Sequence, residues 1–266
     1  MMIDMDKSVS VVVVNYNNAL FLKSALDALR GIPEILEIIA VDDASTDDSV
    51  EILKQYDLTL VRNEKNFGPV KSRNIGARIA KGSYLLFLDS DAKLARDYLA
   101  IVAGFLDKHP DAGVVSGKII AESGGRMWFN FGYDPAPVRD RLQNVFDDAV
   151  QKTHNIPWLQ SLLKWAALPF TLNFVHDAVR NVPWVAEMAL VTRRDLFETL
   201  CGFDENLFMF FEGPDYCRRA RMAGYSSYYV PDAICEHLGG HSHGETRARI
   251  FQESRAYYLK KYSGKK

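Results

Sequence analysis

Only three cysteines occur in 266 residues, Cys201, Cys217 and Cys235, and no Cys-x-x-Cys spacing joins them. A sparse, odd set gives no disulfide framework, and reduced, mostly buried thiols in a cytosolic protein fit best. No run of about 18 apolar residues exists, so no membrane span is expected. The stretch from Met1 to Ser10 is acidic and polar and does not resemble a signal peptide. Basic charge is not in excess either. The 32 Lys and Arg stand against 34 Asp and Glu, a net charge of −2, which provides no field for nucleic acid. No Gly-x-Gly-x-x-Gly follows the first β-branched run, and there is no Gly-Lys-Ser/Thr loop, so dinucleotide and P-loop sites lose their main support. What remains is ordinary globular composition, 48% hydrophobic and 25% charged, in a chain long enough for a sizeable core. The expected location is the cytoplasm, with peripheral contact at the inner face of the membrane as the alternative.

The most informative stretch is Ser83-Tyr84-Leu85-Leu86-Phe87-Leu88-Asp89-Ser90-Asp91. Tyr84 to Leu88 has the apolar run of a strand buried on both faces. It breaks into two carboxylates one residue apart, at the sheet edge where open α/β sheets bind ligands. Close carboxylates repel unless a proton or cation lies between them. Hard oxygen ligands suit Mg²⁺ or Mn²⁺, commonly shared with substrate phosphates. The alternative is a strand end with a capping Asp before a helix.

Strand and helix patterns alternate around this stretch. Val9–Val14, Ile35–Val41 and Leu58–Val61 are expected strands, separated by a helix bearing Leu22, Ala25, Leu26 and Leu29 and another bearing Val50 and Leu53. Pro69 opens the next helix. The expectation is an α/β fold with a mostly parallel central sheet flanked by helices. A helix over 96–108 and a strand over 113–120 follow. The pattern loosens over 122–183, read as an insertion. Within it, residues 158–170 are expected to form a core helix or a flap over the cleft, or alternatively a surface that touches membrane or a lipid-linked acceptor. A strand resumes over 184–191, where Trp184 can stack on a sugar or serve as a core aromatic. A helix from about Asp215 to Ala223, a strand over 225–230, a His- and Gly-rich loop and a terminal helix over 245–262 complete the chain.

Val11-Val12-Val13-Val14-Asn15-Tyr16-Asn17, Val41-Asp42-Asp43-Ala44-Ser45-Thr46-Asp47, Asn66-Phe67-Gly68, Ser72-Arg73-Asn74 and Leu88-Asp89-Ser90-Asp91 resemble the family 2 glycosyltransferases in order and spacing. Gly202-Phe203-Asp204-Glu205, Phe208 to Glu212, Asp215-Tyr216-Cys217-x-Arg219 and His237-x-Gly239-Gly240-x-Ser242 continue the likeness. The resemblance covers nearly all of the chain outside 122–183. It implies a single GT-A domain, with a nucleotide-sugar-binding half (1–120), a variable insertion (121–183) and an acceptor half (184–266). It further implies a nucleotide-sugar donor, a divalent metal and inversion at the anomeric carbon. By position, Val14 and Tyr16 would line the base pocket, Asp43 would accept from a pyrimidine N–H, and Arg73 would sit close by. Asp89 would face the ribose or the metal, Asp91 would ligate the metal, and His237 would be a further metal or diphosphate contact. Trp184 is the acceptor-side candidate. His241 and His243 read as solvated loop residues.

The physical chemistry of these residues agrees. An ionised Asp43 is acceptor-only and suits a pyrimidine N–H, the favoured reading, with a helix cap shared with Asp47 as the alternative. His237 can be structural or a ligand, and neutral imidazole suits Mn²⁺ better than Mg²⁺. The family usually carries two adjacent acids after the aromatic run, and the second often serves as general base; here the pair is Glu212-Gly213. Burial behind Phe208–Phe211 would raise the pKa of Glu212, which makes Glu212 the expected base, with Asp215 orienting the acceptor or the helix start. The expected activity is metal-dependent transfer from a UDP- or dTDP-sugar to a saccharide or lipid-linked saccharide. The rivals are a non-catalytic nucleotide-sugar-binding member of the fold and a nucleotidyltransferase.

Overall fold

The computed structural model describes residues 8–121, 130–136, 155–167, 177–238 and 245–263, with short stretches between 142 and 153. Four strands, β1 (Val9–Asn15), β2 (Ile35–Asp42), β3 (Thr59–Arg62) and β4 (Tyr84–Asp89), run parallel in the order β3-β2-β1-β4. Helices α1 (Ala19–Leu29), α2 (Ser49–Leu53) and α3 (Pro69–Ala77) connect them. The chain turns into α3 at Gly68, whose φ of +85° suits glycine, and Pro69 then takes the first helical position.

The sheet is covered on both faces, as the apolar runs predict. Val11, Val13, Leu86 and Leu88 pack with Leu22 and Leu26 of α1 and Leu99 and Val102 of α4 (Tyr98–Lys108). Their neighbours Val12, Leu85 and Phe87 point the other way, onto Val70, Phe197, Phe203 and Tyr216. This alternation is the period-two geometry of a strand with core on each side.

Beyond β4 the sheet continues through β10 (Ala189–Arg193), β6 (Ala112–Ala121), β11 (Ser226–His237) and the short β5 (Ala92–Leu94). β10 is antiparallel to both β4 and β6. β8 (Arg180–Asn181) pairs with β11, while β7 (Phe131–Gly132) and β9 (Trp184–Val185) form a separate ribbon. Helices α5 (Pro157–Ala167), α6 (Arg194–Thr199), α7 (Glu212–Met222) and α8 (Glu245–Tyr262) complete the described elements.

Several boundaries differ from the sequence expectation. The single strand expected over 184–191 is two, because Glu187 and Met188 form a turn between β9 and β10. The last strand does not stop at Val230; it passes Pro231 and runs to His237, with a register shift between Val230 and Ile234 that accommodates the proline. Helix α7 starts at Glu212 rather than Asp215, since Pro214 lies within the first turn, where its missing N–H has no helical partner to lose. The core-helix expectation for 158–170 is also corrected over its described part. Of α5 only Ala167 is buried, whereas Trp158, Leu162 and Trp165 are exposed. Among the described residues no helix is long and apolar enough to cross a membrane.

Candidate active site

The polar residues gather where β1, β2 and β4 end side by side. Val14 pairs in register with Asp89, and Asn15 with Asp42. The loops leaving this edge are tight: Asn17 and Ala44 have φ of 50° and 64°, a conformation that non-glycine residues adopt at a cost of order 1 kcal/mol or more. Asp47 accepts the Ala19 and Ser49 backbone N–H groups and so caps the helix that follows β1.

Asp89, Asp91 and His237 each offer a ligand atom within 4.8 Å of the others. The sheet assembles this triad from distant sequence. β5 follows the Asp-x-Asp directly and pairs antiparallel with the end of β11, so that Ala92 faces His237. The Leu238 N–H bonds to the Asp91 carbonyl at 2.8 Å and fixes the same junction. His237 Nε2 lies 3.3 Å from Asp91 Oδ1. Burial opposes a positive charge on His237, but the hydrogen bond to Asp91 prevails and raises its pKa. Two carboxylates and one imidazole, partly open to solvent, form a donor set that fits Mn²⁺ and, with less nitrogen preference, Mg²⁺. The Gly239–His243 part of the expected motif lies outside the described residues.

Behind the triad stands a buried charge cluster. Arg73, 3% exposed on α3, places Nη2 2.7 Å from Asp89 Oδ1 and Nη1 2.8 Å from Glu212 Oε1. Burial alone would weaken the guanidinium charge, yet Asp89, Glu212 and Glu187 together hold it firmly protonated. Glu212 is only 2% exposed, and burial raises its pKa; its Oε2 has no hydrogen-bond partner among the described residues. It enters α7 through Phe210 and Phe211, both at positive φ (68° and 64°), a sharp turn that aims Glu212 inward. Helix α8 holds this turn in place, with Phe251 against both rings and Ser254 Oγ donating to the Met209 carbonyl.

The remaining expected site residues are placed as follows. Val14 is buried and Tyr16 half-exposed at the cleft edge. Asp43 is 1% exposed and accepts from Asn63 Nδ2, Phe67 N and Gly68 N at 2.7–2.9 Å, so in this structure it clamps the 63–68 loop. That loop meets the second half of the chain: a Cβ at Gly68 would lie 2.7 Å from the Phe208 ring. Trp184 packs its ring on Gly132 and donates Nε1–H to the Tyr133 carbonyl, as a core aromatic does. Asp215 is fully buried and accepts from Arg219 Nε, Lys261 Nζ and the Tyr262 hydroxyl. Those bonds tie α7 to α8, and they leave Asp215 in a structural network rather than facing an acceptor. Glu187 was not anticipated. The signal was a single charge inside the apolar run Val185-Ala186-Glu187-Met188-Ala189-Leu190-Val191.

A mostly parallel sheet with a carboxylate pair at the edge of β4, joined by a histidine from β11, defines a GT-A fold. The family model described as "Glycosyl transferase family 2" matches residues 10–161, and the chain belongs to that family. Among curated relatives, the poly(ribitol-phosphate) β-N-acetylglucosaminyltransferase TarS of Staphylococcus aureus is 34% identical over 38% of this chain and 19% of its own length. The validoxylamine A glucosyltransferase of Streptomyces hygroscopicus subsp. limoneus is 27% identical over 74% of this chain and 44% of its own. The chain thus spans less than half the length of either. Among solved structures, GalNAc-T7 with UDP, GalNAc and Mn²⁺ superimposes with a TM-score of 0.67 at 17% identity, covering 95% of this chain and 47% of that one. The Pyrobaculum calidifontis mannosyltransferase PcManGT with GDP-Man and Mn²⁺ gives 0.60 at 22% identity, covering 94% and 61%. S. aureus TarS 1–349 with UDP-GlcNAc gives 0.61 at 19% identity, covering 95% and 66%.

Proposed function

We propose that the protein is an inverting glycosyltransferase that moves a hexose-type sugar from a UDP- or dTDP-sugar to a saccharide or lipid-linked saccharide. The observation that carries this reading is the Asp89–Asp91–His237 triad at the carboxyl edge of the sheet, beside the ends of β1 and β2. Asp89, Asp91 and His237 would hold a divalent ion, which when bound would supply Lewis acidity toward a diphosphate leaving group. Val14 and Tyr16 bound the base pocket. Asp43 has three N–H bonds and, with about four lone-pair directions on a carboxylate, one left for a pyrimidine N3–H. Arg73 fixes Asp89 from behind, so the nucleotide-side carboxylate is oriented before the donor arrives.

The base preference is tested by thermal shift with Mn²⁺ and a panel of nucleoside diphosphates. UDP is expected to raise Tm in a concentration-dependent way and GDP not to, because a ligand that binds only the folded state stabilises it by mass action. Equal shifts with GDP and UDP remove the pyrimidine-reading role from Asp43.

The exposed Trp158, Leu162 and Trp165 lie at i, i+4 and i+7 on one face of α5, which supports peripheral membrane contact on the acceptor side. Flotation with phosphatidylglycerol-containing vesicles is expected to carry the wild type upward and the Trp158→Ala/Trp165→Ala variant much less. Equal flotation of the two, or none by the wild type, removes this contact.

A further inference from the structure

Glu187 stands in the turn between β9 and β10, and the Asp89 N–H bonds to the carbonyl of its neighbour Met188 at 3.1 Å. The turn therefore lies against the end of the strand that carries Asp89. Gly213, in the first turn of α7, faces it. A Cβ on Gly213 would come within 2.6 Å of Glu187 Oε2 and 3.0 Å of the Val185 carbonyl oxygen. Glu187 thus fills the space that a side chain at 213 would need.

Three carboxylates, Asp89, Glu187 and Glu212, surround the single Arg73 guanidinium. Arg73 bonds directly to Asp89 and Glu212, whereas Glu187 forms no salt bridge among the described residues. Glu212 is buried and tied down; Glu187 is only partly buried. We propose that Glu187 takes the proton from the incoming acceptor hydroxyl, and that glycine at 213 is what makes room for it. This rests on the transfer reaction proposed above. In that step the acceptor oxygen forms a bond to the anomeric carbon. The bond from that carbon to the diphosphate oxygen breaks, its electron pair leaves with the nucleoside diphosphate, and the hydroxyl proton passes to the Glu187 carboxylate.

The surroundings suit the role. Desolvation of its carboxyl by the surrounding protein, then the Glu212 charge, raise the Glu187 pKa above the ordinary carboxylate range, against the pull of Arg73. A base is most effective with its pKa near the working pH. The charged and titratable groups that face it are Arg73 from α3, Asp89 from β4, and Glu212 and the buried Cys217 from α7.

The test compares Glu187→Gln, Glu212→Gln and the double variant Glu187→Gly/Gly213→Asp, which moves the carboxylate across the gap. UDP release from UDP-glucose and UDP-GlcNAc with Mn²⁺ is measured with water as acceptor, and UDP affinity by calorimetry. Glu187→Gln is expected to lose about 10²–10⁴-fold in kcat, the usual worth of general-base help. UDP affinity should stay within about threefold, and the double variant should recover at least about tenfold over Glu187→Gln. The wild-type rate should climb with pH and level off above the Glu187 pKa, a rise absent from Glu187→Gln. Wild-type-like kcat in Glu187→Gln overturns the assignment, and if Glu212→Gln alone loses activity the base is Glu212. A wild type that binds UDP yet releases none from either sugar overturns the proposed transferase activity, and this role with it.

Discussion

Asp91→Ala is expected to abolish Mn²⁺-dependent binding of UDP while leaving the fold intact. Asp91 is partly exposed, and its contacts among the described residues are local: one oxygen near His237 and a backbone carbonyl that accepts from Leu238, which the substitution keeps. Loss of groups that merely orient a metal ligand typically costs about 10–100-fold in affinity, so removal of a ligand should cost at least about 100-fold. The consequence is visible without any turnover. At a UDP concentration one hundred times its Kd, the wild type gains about 2.7 kcal/mol of stability. Asp91→Ala should show no such gain with UDP and Mn²⁺, and its unliganded Tm should match the wild type. Calorimetry with and without chelator checks the result; unchanged UDP affinity in the variant takes Asp91 out of the metal site.

Arg73→Met should be the most damaging single change for stability. Its guanidinium is buried and lies 2.7–2.8 Å from two carboxylates. Breaking a buried ion pair from one side costs about 3–5 kcal/mol, because the partner is left charged and unpaired. The expected cost depends on pH, and its sign follows from the carboxyl groups. Glu187 and Glu212 both titrate above their ordinary range, chiefly because burial penalises the charged form. A carboxyl with a raised folded pKa favours the folded state below its ordinary value and loses that contribution as pH rises through the folded value. Without Arg73 both groups rise further. Urea unfolding should therefore show a large deficit for Arg73→Met at pH 8 and a smaller one at pH 5. A deficit that does not grow with pH would mean that Arg73 acts through packing.

The parts of the site that sequence made legible are those where one short segment holds the whole signal. The run Tyr84–Leu88 shows a strand buried on both faces, and Asp89-x-Asp91 shows its polar end, without any knowledge of neighbours. His237 needed more. Its place beside Asp91 comes from β5, a three-residue strand too short for periodicity to reveal, and from β11 continuing past a proline that ordinarily ends a strand. Asp215 was plausible as an acceptor residue because its helix start was visible, but Lys261 and Tyr262, which bury it, lie about 46 residues on. Glu187 was hidden for the same reason: its meaning depends on an absent side chain at Gly213, and only the folded chain sets the two face to face.

The insertion of β10 between β4 and β6 has a consequence for synthesis. β4 ends at Asp89, yet its antiparallel neighbour begins at Ala189. At about 5–20 residues per second, the nascent chain waits roughly 5–20 s for that neighbour. During the wait, the side of β4 that β10 will occupy offers the unpaired backbone of Leu85-Leu86-Phe87-Leu88, an apolar edge of the kind that recruits foreign strands. The same edge stays open in any fragment ending near residue 121. The sheet edge that carries Asp89 therefore gains its second neighbour only when the last third of the polypeptide has been made.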